Sequence, residues 1–192
     1  MNTISAQTLL NGSGFNDEYM LEKARRELDR IKDCRHPYFI YDHFINFAIA
    51  VSSVADWTFH LHLARDPKWN NKTEIHFCNW IRSQSSEVAT FIDISNECNH
   101  ANRKHPNFIA EKVLISPIWD TSAFPQEQIN EYTQKGFSVM LEKGTTLLLV
   151  PIIKYGSKQD YFYDVAEKAL AWWKALDLTQ TIPMDKNLNP LS

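Results

Sequence analysis

The sequence predicts a mainly α protein: a helical bundle with a small antiparallel β-sheet, or hairpin, inserted before its last helix. Three observations carry that expectation. Apolar residues recur at helical spacing through most of residues 16–104. Between about 110 and 155 the chain turns to short aliphatic runs separated by turn residues. Helical periodicity then returns in a Trp-bearing segment from Asp160 to about Leu176. The 192 residues include six Trp and eleven Phe, enough to bury a substantial core. The expected organisation is a flexible lead-in over 1–15, one bundle domain over 16–178 with the β insertion at about 110–155, and an irregular tail over 179–192. A sheet this small holds no core of its own, which favours one domain over two.

Taken in order, the lead-in ends in the flexible run Asn11-Gly12-Ser13-Gly14, and Asn16-Asp17-Glu18 opens a helix with a cap residue and early acidic charge. Its apolar positions, among them Leu21, Ala24, Leu28 and Ile31, sit among many charges, so it is amphipathic and peripheral; Pro37 closes it. A second helix over about 38–65 is apolar nearly all round, the mark of a central helix packed on several sides, and Asp66-Pro67 stops it. Thr73-Glu74 begins a third, and Ser85-Ser86-Glu87 marks a break and a new cap. The fourth helix runs on to about Lys104, before His105-Pro106. Lys112–Ile115, Phe137–Leu141 and Thr145–Ile153 read as strands, the last two joined by a turn at Glu142-Lys143-Gly144. Between Pro125 and Gly136 the chain reads as either a short helix, opened by Pro125-Gln126-Glu127, or a mobile stretch. The last helix presents Val165, Ala169, Trp172, Trp173 and Leu176 on one face. The paired Trp172-Trp173 reads as core contact ahead of a stacking platform.

The formal net charge of −3 gives no global case for nucleic-acid binding, although a local basic patch is compatible with it. Cys34, Cys78 and Cys98 are odd in number and lack short metal-ligand spacing, so no disulfide framework is expected and the compartment is read as reducing. MNTISAQTLLNGSG has no charged region followed by an apolar one, so no secretory signal is expected. The longest apolar run, Phe44–Ala55, is interrupted by Asn46, Ser52 and Ser53 and is read as too short and too polar to span a bilayer. The expected location is the cytoplasm, with no membrane partner.

On the second helix Asp42, Asn46, Ser53, Asp56 and His60 fall within an arc of about 80°. Asp93, Asn96, Glu97, His100 and Arg103 cluster in the same way on the fourth. Facing one another inside a bundle, the two stripes would have to hydrogen-bond, because an unpartnered buried polar group costs about 1–3 kcal/mol. They form either a polar seam that sets helix register or a pocket for a ligand, and both readings stay open. Glu97-x-x-His100 has the spacing of carboxylate-bridged di-iron bundles, but no second Glu-x-x-His accompanies it, and Asp56-x-x-x-His60 is the nearest substitute. A mononuclear site on His60, His100 and a carboxylate is the other metal reading. Neither is preferred: no metal and no cofactor is expected. There is no Gly-x-Ser-x-Gly elbow, no Gly-rich phosphate loop and no cysteine placed as an activated thiol.

The segment Ile92-Asp93-Ile94-Ser95-Asn96-Glu97-Cys98-Asn99-His100 resembles the motif of the HEPN superfamily, helical bundles that carry an Arg, a polar residue and a His four to six positions on. Asn96 matches the polar position and His100 the His, while Ser95 stands at the Arg position. Arg103, Arg82 or Lys104 would then have to supply the cation. The chain also resembles a group of small bacterial proteins with no assigned activity, through Asn46-Phe47, Asp56-Trp57, Asn96 with His100, and Trp172-Trp173, over about 38–176. The HEPN resemblance implies a homodimer that cleaves RNA without metal, in RNA processing, toxin–antitoxin or phage-defence biology. His100 would be its acid/base or positioning group, supported by Asn96, with Asp56 and His60 contributing from the facing helix and Arg103 as the cation. The alternative from a different class is a non-enzymatic interaction or sensor module, whose polar seam is structural and which meets a protein partner.

Overall fold

The computed structural model describes residues 17–34, 37–99, 112–118, 127, 138–142, 145–155 and 158–191. Among these lie five α-helices and four strands, and the architecture is a helical bundle with a small antiparallel sheet placed before the last helix. The lead-in, the end of the fourth helix and nearly all of the Pro125–Gly136 stretch fall outside the described residues.

Helix α1 (Asp17–Asp33) and helix α2 (Pro37–Thr58) form an antiparallel hairpin. Acidic Asp17 and Glu18 in the first turn of α1, and basic Arg30 and Lys32 in its last, complement the helix dipole. Ala24, Leu28 and Ile31 recur every three to four residues and are buried against α2. Pro37, expected to close the first helix, also opens the second; its locked φ suits the first helical position and its missing N–H is not needed there. The expected single helix over 38–65 ends in a π turn, Phe59–Leu63, which keeps Phe59 and Leu63 in the core. Together α2 and this turn, Phe39–Leu63, are long and apolar enough by length and composition to cross a membrane, and half of the most apolar window is buried inside the fold. The shorter run considered from sequence alone, Phe44–Ala55, understated that length because the helix continues at both ends.

Asp66 accepts the Lys68 amide (2.8 Å) and caps the turn Pro67–Trp69, which seats Trp69 against Phe59 and Phe77. Helix α3 (Glu74–Gln84) starts in a reciprocal cap between Thr73 and His76. Helix α4 (Ser86–Asn99) follows at once, where the break was expected, and Ser85 Oγ accepts the Val88 amide at 3.2 Å.

Strand β1 (Lys112–Ile118), strand β2 (Ser138–Glu142), strand β3 (Thr145–Tyr155) and strand β4 (Lys158–Tyr161) follow. Long β3 is the hub. β1 pairs along residues 148–154 of it, while β2 covers 145–149 and β4 covers 152–155, so β2 and β4 share the edge opposite β1. Val150 and Pro151 lie in the gap between these two partners, where proline's missing N–H breaks no ladder on that side. β4 was not anticipated; its last two residues, Asp160 and Tyr161, were expected to begin the last helix, α5, which instead spans Phe162–Ala175. Both β3 and β4 contact α5, and Ile153 of β3 is fully buried.

The core lies where α2, α4 and α5 meet. Phe47 stands edge-on to Phe91 (4.8 Å between centroids) and to Phe162 (5.3 Å), and Phe44 also reaches Phe162 (4.8 Å). Trp172 and Trp173 join it through Trp80 and Phe77, the core role expected of them. The last residues turn back over α3: Asn79 Nδ2 donates to the Met184 carbonyl at 3.1 Å, and the Met184 amide donates to the His76 carbonyl at 3.3 Å.

Candidate functional site

The two helices expected to carry facing polar stripes are neighbours, but what they share is apolar, with the Phe47–Phe91 contact between them. Asp42, Asn46, Asp56 and His60 are exposed and Ser53 is half-buried. The stripe on α2 therefore runs along the outside of the bundle, which corrects the expectation that it meets α4. Groups exposed in this way need no buried partner, and the rest of the helix circumference buries Phe, Val and Ala instead. Within the stripe Asp56 and His60 stand together, His60 Nε2 lying 3.5 Å from Asp56 Oδ1 with about three-fifths of each side chain exposed. Ser53 turns its hydroxyl back to the Ile49 carbonyl at 2.8 Å. His62, on the same π turn as His60, points elsewhere and meets Asp17 at 3.0 Å.

Among the described residues, a buried ion pair lies between α3 and α4. Arg82 donates to Asp93, and both side chains are almost completely buried. Ser95, where the resemblance to HEPN proteins would place an Arg, is also buried, Asn96 is half-buried and Glu97 is exposed. The Arg82 guanidinium, one of the cations that could have replaced the missing Arg, is held by Asp93. His100, Arg103 and Lys104 lie outside the described residues.

A second polar cluster, built on the buried Glu27, joins α1 to α2 and was not singled out from sequence. Glu27 accepts from Arg30 and from His43, whose Nδ1 is 2.8 Å away. The signal was present: Glu27 falls between Ala24 and Ile31 on the inward face of an amphipathic helix, where an acid needs a partner. Among the described residues, no three His, Cys, Asp or Glu side chains converge as metal ligands.

No protein-family model, curated protein or solved structure matches this chain.

The cysteines are free thiols. Burial pushes the Cys78 thiol up to about 12; Asp56 and Glu74 act in the same direction and Arg82 against it. Burial, then Glu97, raises the Cys98 thiol as well, although Cys98 is exposed. Since the thiolate is the nucleophile, the raised pKa disfavours reaction of Cys78 at neutral pH. In the native protein at about pH 8, iodoacetamide should modify Cys98 well before Cys78, with Cys78 reacting only on unfolding. Peptide mass mapping checks this, and equal rates at the two positions would contradict the assignment.

Proposed function

We propose that this chain is a non-enzymatic interaction or sensor module of the cytoplasm, with the outward face of α2 as its contact surface for a protein partner. One observation carries the reading: the acid, amide and imidazole groups that could have formed a catalytic cluster point outward on α2, from Asp42 to His60. The buried polar groups support it, because Arg82–Asp93 and Glu27–His43 close on each other and act as register-setting seams. The three free thiols fit a reducing compartment. The burial of half of the apolar α2 window fits a bundle core helix in place of a membrane span. A photo-crosslinking amino acid placed at Asn46 or Asp56 should capture a partner in cells, while the same group at exposed Lys168 on α5 should not. Equal capture from all three positions, or none, would sink this reading.

A second reading is a HEPN-like homodimer that cleaves RNA. It is favoured by Asn96, half-buried in the last turn of α4, immediately before the segment that carries His100 and Arg103. The two readings separate on one comparison. Incubated with total RNA, the wild-type protein should leave it intact, and His100→Ala should behave identically. Cleavage by the wild type that drops by about two orders of magnitude in His100→Ala, the usual scale for a lost general acid or base, would transfer the assignment to the ribonuclease reading.

A further inference from the structure

On the side of the bundle where α1, α2 and α5 come together lies a cavity of about 690 Å³, within the range of small-molecule sites. It is separate from the outward stripe of α2 and follows α1 from Asp17 to Arg25, two turns or about 12 Å. Its walls are largely apolar: Leu21, Val54, Leu170 and Trp173, with Leu176 and Leu178 beyond the end of α5.

Among these stands one enclosed polar side chain. Thr58 lines the cavity at the end of α2 and is only 3% exposed. Its hydroxyl does not cap the π turn that follows it. Nor does it bond back to the carbonyl one turn earlier, as the hydroxyls of Ser53 and Thr90 do at 2.8 Å. Among the described residues it has no hydrogen-bond partner. It also differs from the indole N–H groups of Trp69 and Trp173, which are sealed from water within the core. A side chain so enclosed, yet open at its oxygen, opens into the cavity that it lines. Valine would fill the same space with no polar group to satisfy, so the hydroxyl costs the fold stability. A ligand that brings its own hydrogen-bonding group to Thr58 removes that cost.

The rim favours a neutral ligand. Glu18 and Glu22 oppose a carboxylate, and Lys174 opposes an ammonium. Arg25 and Asp17 are engaged, by Glu167 at 2.7 Å and by His62 at 3.0 Å. The acids of α1 complement its dipole and enter the site only as this repulsive edge.

We propose that the cavity binds a neutral, elongated aliphatic alcohol. The ligand hydroxyl shares a hydrogen bond with Thr58, and its chain lies along α1 among Leu21, Val54 and Leu170. The probe is 1-octanol, titrated into the full-length protein while the backbone amide resonances of Leu21 and Leu170 are followed by NMR. Both should shift saturably, with half-saturation below about 2 mM. Thr58→Val should bind 1-octanol about tenfold more weakly. Without ligand, it should melt at or above the wild-type temperature, since it loses only an unpaired hydroxyl. Thr58→Ser keeps the hydroxyl and should bind within about threefold of wild type. Octanoate and octylamine should each bind at least about tenfold more weakly than the alcohol. Absence of a saturable shift in both resonances would overturn the site. Equal octanol affinity in wild type and Thr58→Val would remove the hydroxyl from it, and a Thr58→Val protein melting well below wild type would show that the hydroxyl already has a partner in the fold. Either ion binding as tightly as the alcohol would refute the neutral assignment.

Discussion

Asp93→Ala is expected to destabilise the bundle by about 3–5 kcal/mol, because it strips the carboxylate from a guanidinium that stays buried. Against a typical total stability of about 5–15 kcal/mol, that is a large fraction of what holds the chain folded. In a protein of this length it corresponds to a fall in Tm of roughly 6–20 °C. The size comes from the charge left behind and does not measure what the pair contributes. Arg82 comes from α3 and Asp93 from α4, two helices separated only by Ser85, so neither side chain can swing into water without parting the helices. Replacing both partners, Arg82→Met with Asp93→Leu, should therefore recover most of the loss. Urea unfolding of the three variants decides the matter. An Asp93→Ala loss below about 1 kcal/mol would mean that the site takes up water or a substitute partner.

Phe47→Ala should cost a similar amount, about 3–5 kcal/mol, for a different reason. Phe47 is fully buried, and its ring meets Phe91 on α4 and Phe162 at the start of α5, so one truncation opens a void where three helices meet. Neighbouring aromatic rings collapse poorly into such a void because their own rotamers are held by the same contacts. Asp56→Ala and His60→Ala provide the contrast. Their side chains are mostly exposed and 3.5 Å apart, and each change should stay within about 0.5 kcal/mol. Thermal unfolding of the set checks the ranking. A Phe47→Ala variant as stable as His60→Ala would show that the three-helix junction does not organise the core.

The same contrast bears on function. The residues that seemed from sequence to build a reaction centre are, on α2, those whose replacement should disturb the fold least. Such residues are free to serve a partner. Arg82 and Asp93 are too deeply committed to the fold to serve one.

The helix phases were legible because periodicity is local. The apolar spacing of α1, the near-continuous apolar surface of α2, the cap at Ser85 and the Trp face of α5 each depend on residues within a few turns of one another. So does the alternation of aliphatic runs and turn residues that marks β1, β2 and β3. β4 escaped notice because Lys158–Tyr161 has neither length nor alternation. It is a strand because β3 extends past β2 and offers it an open edge.

By itself the sequence determined the fold class, the order of the five helices and of β1 to β3, and the presence of a polar stripe on α2. Only the tertiary structure decided where that stripe points and which partner Asp93 takes. A helix apolar on most sides can present its polar residues to a neighbouring helix or to water, and water satisfies them at no cost in ordering. Asp93 had no such outlet, so it took Arg82 from the adjoining α3, while Asp42, Asn46, Asp56 and His60 stayed outside.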